Sequence, residues 1–181
     1  MSSEPQQEVI VSGFGGQGVI SLGRFIAHLA MEEGYHVTYI PSYGVEVRGG
    51  TASCTVIYSR REIASPVSAS PTAVFAMNIP SAAKFGPRLR RGGLLIYNSS
   101  LVKDVPGRED IKKAAVPAND IAEASGDKRT ANIVMFGAYL GLNGFATVER
   151  ACSMLKSILE GKEELIEVNV KALEEGFRFV S

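Results

Sequence analysis

Residues 8–19 read EVIVSGFGGQGV, and this stretch predicts how the chain begins to fold. Its first five residues form a short run rich in β-branched side chains, which is typical of a buried strand. Glycines at 13, 15, 16 and 18 interrupt that run. Apolar residues then recur at 19, 22, 26, 29 and 30, which is the spacing of a helix that packs one face on a core. The stretch therefore predicts a strand, a glycine turn and a helix.

A second strand completes this first unit. We expect the helix to end near Gly34, because glycine commonly follows a helix C-terminus. Residues 37–40 are expected to form the second strand, which Pro41 would end. A strand, a helix and a strand in this order predict parallel pairing through a right-handed crossover. Compact apolar runs predict four more strands, at residues 52–58, 73–77, 94–97 and 113–116.

Helical patterns dominate the last third of the chain. Residues 131–142 are strongly apolar and predict a buried helix, and Thr147 is a good N-cap for a helix that ends near residue 159. Shorter helices are expected at 81–89 and 120–124, and a longer one at 162–177. We therefore predict an α/β fold: a Rossmann-like layered sandwich with a mostly parallel sheet and a helical C-terminal part. A single domain is expected to span residues 1–181.

Composition excludes several classes of function. The 19 basic residues balance the 19 acidic ones, so no field of one sign is available to hold nucleic acid or an anionic membrane. The longest apolar stretch, residues 133–142, is shorter than the about 20 residues of a membrane span. The polar N-terminus is unlike a secretory signal, so a cytoplasmic protein is expected. Iron–sulfur clusters usually need about four cysteines, and Cys54 and Cys152 are the two present, so we expect no metal site.

The glycine turn fits the pattern G-x-G-x-x-G over residues 13–18. In this position between a strand and a helix, it predicts backbone N–H groups that face an anionic ligand. The alternative is a turn whose glycines serve packing only. A dinucleotide site would also need an acidic residue at the end of the second strand, and none occurs before Glu46. A stand-alone nucleotide-binding dehydrogenase is therefore the less favoured hypothesis.

A second unusual loop covers residues 43–50, YGVEVRGG. Glu46 and Arg48 carry opposite charges two positions apart, so in an extended segment their side chains would point to the same side. The flanking glycines would leave backbone amides open to a ligand or to another protein. A solvated loop with a weak ion pair is the alternative interpretation.

The two loops together resemble those of the gamma subunits of 2-oxoacid:ferredoxin oxidoreductases. The similarity is carried by GFGGQGV at residues 13–19 and SYGVEVRGGTAS at residues 42–53, and it extends through residues 92–99, 130–133 and the last helix. Two positions depart from the family pattern. Val45 stands where the family usually has proline, and Asn98 stands where many members have aspartate.

The resemblance implies a non-catalytic subunit of a heteromeric enzyme that converts a 2-oxoacid and coenzyme A to acyl-CoA, carbon dioxide and reduced ferredoxin. It implies that thiamine diphosphate and iron–sulfur clusters belong to the partners, which are thiamine-binding alpha and beta subunits and a ferredoxin-like delta subunit, with ferredoxin as electron acceptor. The amino-acid sequence of the two loops favours the 2-oxoglutarate type. The isolated chain is expected to be inactive, and it could form a homodimer through an exposed apolar patch.

The resemblance also implies roles for the two loops. One set of residues would bind coenzyme A or a partner loop through backbone amides: Gly13, Gly15, Gly16, Gln17 and Gly18. A second set would lie against the thiamine-binding subunits, near their active site: Tyr43, Glu46, Arg48, Gly49 and Gly50. A scaffold module that uses the glycine turn only for packing remains a third hypothesis.

Overall fold

The computed structural model describes residues 5–43, 51–105 and 107–181. In these ranges six strands, with helices after the first and the fourth, precede a helical C-terminal part. The strands are β1 (Gln7–Phe14), β2 (His36–Tyr43), β3 (Thr51–Ser59), β4 (Ala73–Ala76), β5 (Leu94–Asn98) and β6 (Lys112–Val116). The helices are α1 (Val19–Glu32), α2 (Ile79–Phe85), α3 (Ala118–Ser125), α4 (Ala131–Asn143), α5 (Val148–Ile158) and α6 (Glu163–Val180).

The strands form one mixed sheet in the order β2-β3-β1-β4-β5-β6. Strands β1, β4, β5 and β6 pair in parallel with one another, in that order. Strand β3 is antiparallel to both β1 and β2, so β2 runs in the same direction as β1. Five of the six strands therefore point one way. The predicted α/β sandwich with a mostly parallel sheet is confirmed.

The predicted pairing of the first two strands is wrong. Strand β3 lies between β1 and β2, with Val9 opposite Val56 on one side and Tyr39 opposite Val56 on the other. The physical reason is burial. Strand β3 has four consecutive buried residues at its end, whereas every described residue of β2 is at least partly exposed. The more apolar strand takes the inner position and leaves β2 at the sheet edge.

Pro41 does not end the second strand. Strand β2 continues to Tyr43, and Pro41 lies opposite Cys54 of β3. Proline lacks the N–H that a central strand needs for pairing on both sides, but it is compatible with an edge strand. Strand β2 has a partner on one side only, so the proline fits there.

The two faces of the sheet are covered unequally. Val9 and Val11 point to a face that packs on α1, α3, α4, α5 and α6, while Ile10 points to the other face, where α2 packs. Successive side chains of a strand alternate between faces, so β1 contributes to both cores. The larger core holds the apolar α4, whose residues 131–140 are all buried, as the sequence predicted.

Helices α4 and α6 make an unusually close contact. A Cβ atom added to Gly137 would lie 1.9 Å from the Leu173 carbonyl oxygen, and one added to Gly176 would lie 2.0 Å from the Val134 oxygen. The backbones touch because neither residue has a side chain. Helix α5, between them in sequence, starts at the predicted cap: the Arg150 N–H donates to the Thr147 hydroxyl at 3.3 Å.

Candidate functional site

Strands β1, β2, β4 and β5 all end on one side of the sheet, and we call this row of strand ends the carboxyl edge. It carries Phe14, Tyr43, Ala76 and Asn98. The turn after β1, residues 15–18, lies here and leads into α1. Gly16 and Gly18 have φ angles of 91° and 70°, a left-handed conformation that side chains with a Cβ rarely adopt. The turn therefore requires glycine at both positions.

Gln17 fixes the shape of the turn from within. Its side-chain oxygen accepts hydrogen bonds from the Phe14 N–H at 2.7 Å and the Asn78 amide at 3.3 Å. Its side-chain nitrogen donates to the Met77 carbonyl at 3.2 Å. The backbone N–H of Gln17 donates to the Phe14 carbonyl. The backbone N–H and one side-chain N–H of Gln17 are thus used inside the protein, and its side chain connects the turn to the start of α2.

Gly13 and Gly18 allow close packing. A Cβ atom on Gly13 would lie 2.7 Å from both Gln17 Oε1 and Val19 Cγ2. A Cβ atom on Gly18 would lie 2.4 Å from Asn132 Nδ2, which donates to the Gly18 carbonyl at 3.3 Å. These two glycines bring β1, α1 and α4 together. Gly13 and Gly18 thus have the packing role that was the alternative interpretation of the motif.

Gly15 and Gly16 are open. No atom lies within 4 Å of a Cβ built on either residue. Within the described part of the chain, their N–H groups donate to no acceptor. Of the five residues predicted to offer amide donors, these two are placed to do so without competition from the protein.

One depression beside the open glycines is polar and basic. It has a volume of about 240 Å³ and is lined by Gly16, Gln17, Met77, Asn119, Lys128, Arg129 and Ala131. Lys128 is exposed and makes no salt bridge within the described ranges. Arg129 binds the Asp127 carboxylate, at 2.6 Å between Nη2 and Oδ2, and this hydrogen bonding lowers the pKa of Asp127. The depression therefore combines the unpaired N–H group of Gly16 with a lysine, which suits an anion.

The second depression, on the other side of the turn, is mainly apolar. It has a volume of about 370 Å³, and Phe14, Tyr43, Val19 and Ile20 are among the residues that line it. Tyr43 is 71% exposed, although large aromatic side chains are usually buried at least in part. Ile79, at the start of α2 on the same edge, is 53% exposed. These side chains make this part of the carboxyl edge an apolar surface.

The second predicted set of residues is described only at its first member. Tyr43 lies beside the glycine turn, because both line the apolar depression. Glu46, Arg48, Gly49 and Gly50 lie outside the described residues.

Sequence reasoning missed Asn119, Lys128 and Arg129. They belong to α3 and the short turn after it, and the chain between the glycine turn and this segment is long. The only signal was indirect: residues 127–129 carry three charged side chains directly before the segment at 130–133 that supports the family resemblance. Nothing local in that charge run indicates that it faces a glycine turn.

The two thiols are poor nucleophiles, and the described residues offer no metal site. Burial raises the pKa of Cys54 to about 12, and burial also raises the pKa of Cys152, so neither is a ready nucleophile at neutral pH. The described ranges contain no group of three His, Cys, Asp or Glu side chains that could hold a metal ion. They also contain no helix with the length and apolar character needed to cross a membrane.

Comparison with known sequences gives consistent results. The family model for pyruvate ferredoxin/flavodoxin oxidoreductase matches residues 8–179. Ketoisovalerate oxidoreductase subunit VorA of Methanothermobacter thermautotrophicus is 38% identical over 174 residues, which are 95% of this chain and 36% of the relative. This chain thus spans about a third of that relative's length. 2-Oxoglutarate synthase subunit KorC of the same organism is 34% identical over 169 residues, covering 89% of each chain.

Solved structures have the same fold. The gamma subunit of a keto/oxoacid ferredoxin oxidoreductase from Geobacter sulfurreducens superposes with a TM-score of 0.82 at 31% identity, covering 96% of this chain and 98% of its own. The 2-oxoglutarate:ferredoxin oxidoreductase from Magnetococcus marinus, solved with 2-oxoglutarate, coenzyme A and succinyl-CoA, gives a TM-score of 0.88 at 22% identity. The match covers 98% of this chain and 31% of the Magnetococcus chain.

Proposed function

This chain belongs to the pyruvate ferredoxin/flavodoxin oxidoreductase family, and we propose that it acts as the gamma subunit of a 2-oxoacid:ferredoxin oxidoreductase. The reaction of that enzyme is the oxidative decarboxylation of a 2-oxoacid with coenzyme A to acyl-CoA, carbon dioxide and reduced ferredoxin. The observation that carries the proposal is the full-length similarity to the Geobacter gamma subunit, at 31% identity over 98% of that chain.

In this proposal the chain binds and positions, and its partners catalyse. Thiamine-binding alpha and beta subunits and a ferredoxin-like delta subunit supply the thiamine diphosphate and the iron–sulfur clusters. The residues described at the carboxyl edge fit this division. The described residues that line the two depressions are glycines, amides, apolar side chains, cations and the hydroxyl-bearing Ser21 and Tyr43. None of these lining residues is a histidine, a cysteine or a carboxylate that could act as a general base.

The basic depression is proposed as the anchor for the phosphate groups of coenzyme A. The N–H group of Gly16 and the ammonium of Lys128 would donate to phosphate oxygens, and Arg129 would add positive charge. When bound, coenzyme A supplies the thiol that accepts the acyl group. What this chain does is hold the anionic end of that molecule, so that the thiol reaches the partner's active site.

The apolar depression is proposed as the contact with the thiamine-binding subunits. Exposed aromatic side chains commonly anchor protein interfaces, and Tyr43 and Phe14 are both exposed at the carboxyl edge. The loop with Glu46 and Arg48 follows directly after Tyr43 in sequence, so we propose that it continues the same contact.

The identity of the 2-oxoacid belongs to the proposal as well. The amino-acid sequence of the two loops favours 2-oxoglutarate. The VorA relative, at 38% identity, carries the name ketoisovalerate oxidoreductase, whereas the KorC relative with the 2-oxoglutarate name is 34% identical. Ketoisovalerate is therefore the first acid to test and 2-oxoglutarate the second.

The sheet order argues against the alternative of a stand-alone dehydrogenase. Dinucleotide-binding folds place the second strand beside the first, so that an acidic residue at its end reaches the ribose. Here β3 occupies that place, and β2 ends at Ser42 and Tyr43 without an acid.

The test is an anaerobic affinity purification of the tagged chain from its native cells. The eluate is assayed for coenzyme A-dependent reduction of a viologen dye with ketoisovalerate, 2-oxoglutarate, pyruvate and indolepyruvate. We expect thiamine-binding and iron–sulfur subunits to co-purify, together with activity on one acid. Recovery of the chain alone, without activity but with tight binding of a nicotinamide dinucleotide, would contradict the proposal.

A further inference from the structure

Asn98 is fully buried at the end of β5, and the backbone decides how its side-chain amide is oriented. Its Oδ1 atom lies 3.3 Å from the Ser100 nitrogen and 3.2 Å from the Ala118 nitrogen. A backbone N–H can only donate, so the atom that faces both groups must be the oxygen. The two backbone donors therefore settle an orientation that is often ambiguous for asparagine side chains.

This orientation determines that of Asn119. With Oδ1 of Asn98 turned to the backbone, Nδ2 of Asn98 faces α3 and donates to Asn119 at 2.7 Å. The acceptor there must be Oδ1 of Asn119, since an amide nitrogen has no lone pair to offer. The carbonyl of Asn119 is thus occupied. Its two N–H donors bind no acceptor in the described part of the chain, and Asn119 lines the basic depression together with Gly16 and Lys128.

We propose that Asn98 is a positioning residue that makes Asn119 a hydrogen-bond donor to the ligand of the basic depression. Through Asn119, a buried residue that does not touch the ligand ensures that the polar side chains of this depression are donors. A site of this kind favours phosphate oxygens and disfavours groups that themselves donate. The inference rests on the proposed function, because it takes the phosphate groups of coenzyme A as that ligand.

Because many members of the family have aspartate at this position, the effect of an Asn98→Asp substitution depends on the asparagine at 119 of this chain. With Asn119 present, the substitution reverses the arrangement. The carboxylate still accepts from the Ser100 and Ala118 N–H groups, so the connection between β5 and α3 is kept. It has no hydrogen to donate to Asn119, so the Asn119 amide turns over and donates to the new carboxylate. Asn119 then presents its carbonyl oxygen to the phosphate, and an attraction becomes a repulsion.

The experiment measures coenzyme A binding to the intact purified complex by titration calorimetry, with steady-state kinetics alongside. We expect Asn98→Asp to weaken binding of coenzyme A about five- to twentyfold and to raise its KM. The KM of the 2-oxoacid and the kcat should stay as in the wild type. A general structural defect would change all three.

A double-mutant cycle separates the proposed route from a direct effect of the new charge. In an Asn119→Ala background, Asn98→Asp should have no further effect on coenzyme A binding. An equal loss in both backgrounds, or unchanged binding of the single Asn98→Asp complex, would overturn the inference.

A second variant covers the case in which Asn98→Asp prevents assembly. Asn119→Asp keeps an oxygen for Asn98 and replaces the donating amide with a second oxygen. It should weaken coenzyme A binding more than Asn119→Ala does, and wild-type binding would overturn the inference. Lys128→Ala serves as the reference: if the wild-type complex binds coenzyme A and Lys128→Ala does not change the affinity, the proposed anchor itself is wrong.

Discussion

Lys128 is the residue whose charge the proposed anchor needs most, because Arg129 already binds Asp127. We predict that Lys128→Ala raises the KM of coenzyme A about two- to fivefold, the range of an exposed charge pair. The kcat should be retained, since the lysine contributes to binding and not to chemistry. The KM measured at low and high ionic strength should also become less sensitive to salt.

Lys112 offers a matched control. It is an exposed lysine at the start of β6, at the end of that strand remote from the carboxyl edge. Lys112→Ala removes the same charge from the chain and should leave the KM of coenzyme A unchanged. A comparable effect of both substitutions would indicate general electrostatics and would contradict a local anchor.

The glycine motif shows how far residues can be interpreted from sequence. The position of the turn and its need for glycine could be predicted, because a strand before it and a helix after it are local signals. Which of the glycines serve packing and which are open to a ligand could not be predicted. Gly18 is a packing residue because Asn132 lies against it, and Gly15 is open because nothing does. These neighbours come from distant parts of the chain, and only the fold brings them together.

At the scale of elements, the contact between α4 and α6 depends on missing side chains. We predict that Gly137→Ala destabilises the protein by about 1–3 kcal/mol or more, although alanine is the better helix former. Its Cβ would lie 1.9 Å from a carbonyl oxygen of α6, and backbone cannot move aside as a side chain can. Urea unfolding followed by far-ultraviolet circular dichroism would measure the loss.

Gly141 on the same helix provides the comparison. A Cβ atom there would lie 2.7 Å from Cγ2 of Val180, a side chain near the end of α6 that can change its rotamer. Gly141→Ala should therefore cost much less than Gly137→Ala, and the gain in helix propensity offsets part of that cost. Equal losses for both substitutions would show that the close backbone contact is not what matters.

The helices and strands themselves were largely predictable, and their neighbours were not. Helix α5 follows its predicted cap at Thr147, because capping depends on a few adjacent residues. Strand β3 was predicted within a residue at each end, yet its position between β1 and β2 was not. Strand order depends on which strand gains most from burial on both faces, and that comparison involves the whole sheet.

For the whole molecule, the glycine turn places the proposed ligand site and the proposed partner contact next to each other. The basic and the apolar depressions lie on either side of one glycine turn, and both include Gly16. A partner that covers the apolar depression would therefore be separated from the proposed phosphate anchor only by the glycine turn. Binding of the partner and of coenzyme A should then be linked, because the turn cannot move on one side alone.

The assembly surface can be tested by comparing exposed aromatic residues. Tyr43 is 71% exposed at the carboxyl edge. Phe179 is 51% exposed near the end of α6. The end of α6 lies beside the end of α4. There Asn143 accepts a hydrogen bond from Tyr58, so Phe179 lies toward the side of the sheet opposite the carboxyl edge.

We predict that Tyr43→Ser reduces the yield of co-purified thiamine-binding subunits severalfold without lowering the melting temperature of the chain, because interface aromatics dominate binding energy. Phe179→Ser removes another exposed aromatic side chain, far from the turn, and should leave the yield unchanged. If Phe179→Ser disrupts the complex and Tyr43→Ser does not, the partner contacts the opposite edge, and the anchor for coenzyme A cannot lie beside it.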